Sequence, residues 1–216
     1  MSNRIDAALL KRTFTFNQYY QFVEGLIKEG KTTGVNQSER LANYTKLNFQ
    51  RLKRISRNLK LTPEIKRLIY EIESEMLWIV IVEAWCGDVP QNLPYFYRIS
   101  ELSDRINLQI ILRDENHEIM DQFLTNGTRS IPKMICLHPQ TYEIAGTWGP
   151  RPAGAKEIVQ ELLRDPSITK DMRNEAVQRW YLDNEGKQLQ KELMKLIRTW
   201  DVRLSHLSIQ KLTEVD

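Results

Sequence analysis

The sequence predicts an α/β protein in which helices flank a small mixed sheet. Residues 76–164 alternate strand-like apolar runs with helical spacing in the order βαβαββα. This order implies two parallel strands followed by a hairpin. Residues 1–75 and 165–216 have helical patterns on either side. We expect both to pack on the core as extensions, because neither is long enough to build a sizeable core of its own.

The composition excludes several classes of protein. The chain has 216 residues, of which 41% are hydrophobic and 27% charged, as in an ordinary globular protein. No apolar run approaches the ~20 residues that cross a bilayer, and the first residues lack a secretory hydrophobic region. The two cysteines, Cys86 and Cys136, exclude a disulfide scaffold. We therefore expect a cytoplasmic protein without a membrane partner.

Helix signals dominate residues 1–75, the first of three zones of the chain. Residues 17–28 have apolar residues at helical spacing. Asn36, with Glu39 three positions later, predicts a capping box for a longer helix. Thr62 and Pro63 predict a third helix start, with the hydroxyl as cap and proline at the first helical position.

The middle zone, residues 76–164, and the last zone, residues 165–216, divide into strands and helices at similar signals. The strand-like runs are 76–84, 107–113, 131–137 and 142–148. Helices are predicted after Cys86, from a cap at Asp114, and over 152–164. The last zone predicts helices over 174–184 and 187–200, with fraying after about Ser205.

Cys86 lies where the first strand turns into a helix. Free backbone N–H groups and the helix dipole there favour a thiolate, whereas the nearby Asp88 carboxylate raises the thiol pKa. A C-x-x-C pair would place its second sulfur at Val89, so Cys86 cannot close a disulfide within this motif. Cys136 lies four residues beyond Pro132 and is predicted to be a small buried hydrophobe rather than a resolving thiol. Cys86 is then either a lone nucleophile or a vestigial thiol.

Several motifs together resemble a known family. A strand, the turn Trp85–Asp88, a helix and a later Ile131-Pro132 at the start of a strand are similar to the thioredoxin fold. More specifically, the chain resembles a bacterial thioredoxin-like group with a helical N-terminal extension. The further motifs that carry this resemblance are Gly30–Gly34, Tyr44–Asn48, Arg113–Asn116, Thr125–Pro132 and Gly146–Pro152.

The resemblance implies a thioredoxin-like three-layer fold and a site. It implies a cis peptide bond before Pro132, in a loop that lies against the active cysteine. Cys86 is the expected catalytic residue. The expected substrate-binding residues are Trp85, Gly87, Asp88, Arg129, Ile131 and Pro132.

Two departures separate the chain from dithiol thioredoxins. Val89 replaces the resolving cysteine, and Val80 stands where the resemblance places a buried acid. Glu83 could replace that acid only with its side chain turned inward. Three cations are candidates to offset the Asp88 charge: Arg113, Arg129 and Lys133. Arg151 is a candidate ligand or salt-bridge residue.

These observations leave two leading functional hypotheses. The first is a single-cysteine thiol-disulfide oxidoreductase that acts on protein disulfides or low-molecular-weight thiols such as glutathione, with an external thiol for release. The alternative is a non-catalytic module that binds proteins through the cis-proline groove. Residues 38–60 hold seven basic residues against one acid, but base-reading motifs and interleaved aromatics are missing, which does not favour nucleic acid. No cofactor is predicted, and no metal, because the three histidines lack ligand spacing.

Overall fold

The computed structural model describes residues 3–10 and 12–213, with side chains of the final helix through residue 207. The helices in these ranges are α1 Phe16–Lys28, α2 Glu39–Asn58, α3 Pro63–Glu71, α4 Val89–Ser100, α5 His117–Met120, α6 Ala153–Leu162, α7 Lys170–Asn184 and α8 Lys187–Thr213. The strands are β1 Met76–Val82, β2 Ile106–Leu112, β3 Lys133–Leu137 and β4 Ile144–Trp148. Single turns of 3₁₀ helix occur at Ala7–Leu9, Arg113–Glu115 and Asp121–Phe123.

The four strands form one mixed sheet in the order β2-β1-β3-β4. β1 runs parallel to β2 and antiparallel to β3, and β3 and β4 form an antiparallel pair. In the centre, Val80 lies opposite Ile110 on one side and Met134 on the other. Every residue of β1 is buried, as expected of a central strand whose faces are both covered. The predicted two parallel strands followed by a hairpin are confirmed.

The terminal helices share one apolar core with the sheet. Phe16 at the start of α1 stacks on Tyr97 of α4, with ring centroids 4.1 Å apart. Trp200 of α8 packs edge-on against Trp78 of β1 at 6.2 Å. A continuous cluster of buried residues therefore runs through all three zones of the chain.

Of two helix starts predicted in the N-terminal zone, one is confirmed and one is wrong. Thr62 caps α3 by accepting a hydrogen bond from the backbone of Ile65, with Pro63 at the first helical position, as predicted. The capping box predicted from Asn36 is wrong. The Asn36 side chain accepts a hydrogen bond from the Ser38 backbone N–H, so it closes a turn before the helix. Ser38 is the residue that precedes the first turn of α2.

The helix predicted from Asp114 is also wrong in its start and continuity. The chain makes a 3₁₀ turn at Arg113–Glu115 before the four-residue α5, and α5 begins after Asn116. The Asp114 carboxylate binds the Arg113 side chain at 2.8 Å instead of a helix N-terminus. It also packs so close to Gly34 that a Cβ at that position would lie 2.3 Å from its Oδ2.

The C-terminal helix extends further than predicted. Helix α8 continues to Thr213, whereas the sequence predicted fraying after about Ser205. Leu204 is fully buried and Leu207 still packs against the main core, which holds this part of the helix in place. In the described part of the chain, none of the helices combines the length and apolarity that a membrane span requires.

Candidate functional site

Cys86 lies on the turn between β1 and α4. Its side chain is buried, with 9% of the residue exposed, and Sγ donates a hydrogen bond to the Ile131 carbonyl at 3.3 Å. The Ile131–Pro132 peptide bond is cis, as is Gly149–Pro150. The structure thus brings together the cysteine and the proline loop that the sequence placed 45 residues apart.

The surroundings of Cys86 disfavour the thiolate. Burial, with a smaller contribution from the Asp88 carboxylate, raises the pKa of the Cys86 thiol to about 12. The backbone N–H groups of Asp88 and Val89 and the charge of Arg151 lower the pKa, but their combined effect is smaller. The helix start therefore acts in the predicted direction and is outweighed by desolvation. At neutral pH the thiol is protonated.

Asp88 is the centre of a buried polar network. Arg151 binds its carboxylate with two contacts, Nε to Oδ1 at 2.9 Å and Nη2 to Oδ2 at 2.6 Å. The Tyr181 hydroxyl donates to Oδ1 at 3.1 Å, and the Asn92 side chain donates to the Asp88 carbonyl at 2.7 Å. Burial raises the pKa of the Asp88 carboxyl, and the guanidinium of Arg151 opposes that change. The bidentate pair keeps a charged group in place beside Cys86.

The cations that the sequence suggested for Asp88 have other partners. Arg129 binds Asp121 through two contacts of 2.6 and 2.8 Å, and the ammonium of Lys133 donates to the Thr125 hydroxyl at 2.7 Å. The guanidinium of Arg113 binds Asp114 and lies 4.8 Å from the centroid of the Trp85 ring. Arg151, from the Gly146–Pro152 motif, is the residue that offsets the Asp88 charge.

Helix α7 covers the turn from the C-terminal zone. Gln178 donates from its side chain to the Gly87 carbonyl at 3.1 Å and accepts from the Gln91 side chain at 2.7 Å. Tyr181, one turn later on the same face, reaches Asp88. Neither contact of α7 with the Cys86 turn was predicted from the sequence. The available signal was a glutamine and a tyrosine at helical spacing beside Val177, but it predicts an ordinary packing face equally well.

Two motifs of the N-terminal zone bind the backbone of Ala84, two positions before Cys86. The backbone N–H of Ala84 donates to the Thr33 hydroxyl at 2.9 Å, and its carbonyl accepts from the Asn48 side chain at 3.1 Å. The hydroxyls of Thr32 and Thr45 are hydrogen-bonded to each other and link the two motifs. Gly30–Gly34 and Tyr44–Asn48 therefore support the end of β1 and the turn that follows.

Cys86 lies in the wall between two clefts. We call the first the loop cleft; it has a volume of about 390 Å³ and is bordered by Arg113, Arg129, Ser130, Ile131 and Pro150. We call the second the helix cleft; it has a volume of about 580 Å³, lies between α2 and α7, and is bordered by Tyr44, Arg51, Gly87, Val177 and Gln178. Both clefts share the same wall, formed by Trp85, Cys86, Asp88 and Arg151.

The predicted binding residues are divided between these clefts. Arg129 and Ile131 border the loop cleft, and Gly87 borders the helix cleft. Trp85 and Asp88 border both clefts, whereas Pro132 borders neither and has its carbonyl against Gly149. Within the described ranges, no group of three or more histidine, cysteine, aspartate or glutamate side chains is arranged to hold a metal ion.

Cys136 is far less accessible than Cys86. It is fully buried in β3 opposite Trp78 of β1, as predicted for a small hydrophobic residue. Burial raises the pKa of its thiol. Cys136 therefore serves as a matched control for chemistry at Cys86.

Glu83 has its side chain turned inward. It is fully buried, and its Oε1 accepts a hydrogen bond from the Asp114 backbone N–H at 2.9 Å. The Thr33 side chain and the Asp114 backbone N–H lower the pKa of this carboxyl group, but their effect is smaller than that of burial. Its Oε2 has no hydrogen-bond partner in the part of the chain that the structure describes. Burial raises the pKa of Glu83 to about 7.

This raised pKa predicts a pH-dependent stability difference between the protein and a Glu83→Gln variant. Between the ordinary value of 4.5 and about 7, the folded protein holds a proton that the unfolded chain has released. The stability contribution of Glu83 is therefore present below pH 4.5 and declines as the pH rises to 7, by about 3 kcal/mol. We expect the variant to gain about this much relative to the parent between pH 4.5 and 8 in urea unfolding. A difference that does not change with pH would contradict the raised pKa.

The sheet order, the Cys86 turn and the Pro132 loop together define a protein of the thioredoxin fold. A family model described as thioredoxin matches residues 34–164, and the chain belongs to this thioredoxin family. The match begins within the zone predicted as the N-terminal extension and includes α2 and α3. A search of curated proteins gave no match.

Two solved structures resemble the chain over most of its length. One is a protein of unknown function from Pseudomonas aeruginosa, with 16% identity and a TM-score of 0.53 over 86% of this chain and 98% of that one. The other is an HIV epitope-scaffold, with 18% identity and a TM-score of 0.51 over 81% of this chain and 96% of that one. At these identities the likeness shows the fold alone.

Proposed function

We propose that this protein is a cytoplasmic, thioredoxin-like thiol-disulfide exchange protein that uses Cys86 as its single reactive thiol. The observation that carries the proposal is the position of Cys86 in the wall shared by the two clefts. A disulfide has two halves that extend from the attacked bond in different directions. Clefts on both sides of one cysteine supply room for both halves. Glutathione and protein disulfides are the proposed substrate class.

The reaction takes two exchange steps. The Cys86 thiol first loses its proton to solvent, and the thiolate attacks one sulfur of a disulfide. The old S–S bond breaks, one half leaves as a thiolate, and the other half stays on Cys86 as a mixed disulfide. Because Val89 carries no sulfur, a thiolate from a low-molecular-weight thiol must attack the retained sulfur from outside. This second step forms a new disulfide and releases the Cys86 thiolate.

The predicted binding residues around Cys86 have separate roles in this proposal. Trp85 and Ile131 border the side of the loop cleft nearest Cys86, where an extended peptide or glutathione would lie. Pro132 and Gly87 shape the backbone on either side of the sulfur. Asp88 holds Arg151 in the shared wall.

A protonated resting thiol makes the exchange slow at neutral pH. With a pKa of about 12, roughly one Cys86 in 10⁵ is a thiolate at pH 7. The exchange rate should therefore rise about tenfold for each pH unit until it approaches that pKa.

Incubation with glutathione disulfide between pH 7 and 10 tests the proposal. We expect intact-mass measurement to show one added glutathione per folded chain, located on Cys86, with the tenfold rise per pH unit. A Cys86→Ser variant should gain none, whereas Cys136→Ser should react like the parent, because Cys136 is fully buried. No adduct at pH 10 on a chain that remains folded would overturn the proposal, as would an adduct on Cys136.

A second candidate function is protein binding without catalysis. The observation that favours it is the buried, protonated Cys86 thiol, which donates a hydrogen bond to Ile131 as a structural group would. Under this function, Cys86→Ser should retain full function in cells. Loss of function on removal of the sulfur alone would count against it.

A further inference from the structure

Arg51 projects from α2 toward the turn that carries Cys86. The residue is half-buried and borders the helix cleft. Its Nη1 donates to the Asn48 side chain at 3.1 Å. The same nitrogen lies 3.9 Å from the position that a Cβ on Gly87 would occupy. The guanidinium is therefore close to the residue that follows the reactive cysteine.

The helix cleft holds positive charge that its own carboxylates do not offset. Each carboxylate that borders the cleft already has a cationic partner; the pairs are Asp88–Arg151, Asp171–Arg40 and Glu175–Arg179. Across the described ranges, no carboxylate lies within 4.0 Å of a charged nitrogen of Arg51 or Lys170, both of which border the cleft. Burial and the nearby Arg54 lower the pKa of Arg51, as expected of a cation without a counter-charge.

The loop cleft, on the other side of Cys86, differs from the helix cleft in the pairing of its cations. The three arginines that border it each bind a carboxylate: Arg129 binds both oxygens of Asp121, Arg113 binds Asp114, and Arg151 binds Asp88. A free anion would have to displace one of these carboxylates. The helix cleft is thus the side on which an anionic group would find a guanidinium that is bound to an amide oxygen of Asn48 but to no carboxylate of the described residues.

We propose that the helix cleft is an anion subsite in which Arg51 binds a carboxylate of the small thiol or disulfide that reacts at Cys86. The inference rests on the proposed exchange function and names its substrate class, anionic low-molecular-weight disulfides. A volume of about 580 Å³ suits a ligand of this size. Tyr44 and Gln178 add polar groups to the walls, and Val177 adds an apolar surface for the stem of the ligand.

Disulfides of different charge test this subsite. The rate of mixed-disulfide formation on Cys86 is measured at pH 9 with glutathione disulfide, which is net-negative, with uncharged hydroxyethyl disulfide, and with net-positive cystamine. Because the leaving thiols differ in pKa, each rate is divided by the rate of a free small thiol with the same disulfide, and we expect this relative rate for the parent protein to be highest with glutathione disulfide and lowest with cystamine. Arg51→Gln should slow the reaction with glutathione disulfide about tenfold, whereas the rate with hydroxyethyl disulfide should stay within about twofold of the parent rate.

Arg54→Gln is the matched control. Arg54 is on the same helix three residues later, is exposed, and borders a different cavity beside Lys60 and Tyr95. This variant removes the same charge and should keep the parent preference within about twofold. Each variant is judged by the ratio of its rates with two disulfides, measured on protein that remains folded at pH 9, because an unfolded chain would expose both buried thiols.

Binding of S-methylglutathione, which cannot exchange, separates this inference from the function on which it rests. We expect calorimetry to detect binding to the parent and to Cys86→Ser, and about tenfold weaker binding to Arg51→Gln. If Cys86 reacts with all three disulfides at equal rates relative to the free thiol, the subsite is wrong and the exchange function stands. If Cys86 is inert but S-methylglutathione binds through Arg51, the exchange function fails and the subsite stands. No binding to the parent overturns the subsite.

Discussion

Replacement of Arg151 with methionine is expected to destabilise the protein by about 3–5 kcal/mol. The Asp88 side chain is only 7% exposed, and Arg151 contacts both of its carboxylate oxygens. Without the guanidinium, a charged group stays buried, and among the described residues the Tyr181 hydroxyl is the side-chain donor that remains. Removal of one member of a buried ion pair carries this cost because the remaining charge is desolvated without compensation. The free energy of unfolding in urea at pH 7 measures the effect.

Two comparisons separate this effect from simple loss of an ion pair. Arg129 binds Asp121 with the same two-contact geometry, but these side chains are 43% and 48% exposed. Arg129→Met should therefore cost much less than Arg151→Met, because solvent screens an exposed ion pair. The loss in Arg151→Met should also shrink as the pH falls, because protonation of Asp88 removes the unpaired charge. Equal losses in the two variants would show that burial of the pair is not the cause.

Substitution of Gly149 with alanine is expected to destabilise the protein by about 2–6 kcal/mol. Gly149 has φ +132°, in the region that side chains rarely adopt, and a Cβ there would lie 2.3 Å from the Pro132 carbonyl oxygen. The neighbour is backbone, so the clash cannot be relieved by rotation of a side chain. Backbone strain and overpacking each contribute about 1–3 kcal/mol. Urea unfolding again gives the measurement.

Two other glycines serve as controls for this substitution. Gly127 has φ +73° but no atom within 4 Å of its Cβ position, so Gly127→Ala measures the conformational cost alone. Gly25 lies in α1, where alanine also meets open space, and Gly25→Ala should stabilise the protein by up to about 1 kcal/mol. If Gly149→Ala costs no more than Gly127→Ala, the close approach to Pro132 has no energetic importance.

The strands and most helices could be predicted because their signals are local. The apolar run over β1 and the Thr62-Pro63 helix start each depend on neighbours in sequence, and both are confirmed. The cap at Asn36 and the helix start at Asp114 were wrong because each side chain has another partner. For Asp114 that partner is Arg113, in a turn whose backbone is held by the distant Glu83. The partners of Asn36 and Asp114 are near neighbours that compete with a helix cap, whereas the contact with Glu83 spans 31 positions and is not contained in local propensity.

The sequence by itself determined the Cys86 turn, the absence of a second sulfur at Val89, and a buried Cys136. Only the tertiary structure decided the charge state of Cys86. Arg151 and Tyr181, which surround Asp88, lie 63 and 93 positions further along the chain, and α7 covers the turn from the C-terminal zone. A helix start favours a thiolate through a few backbone dipoles, whereas desolvation acts through every group packed around the sulfur. The folded packing therefore overrules the local motif and keeps the thiol protonated.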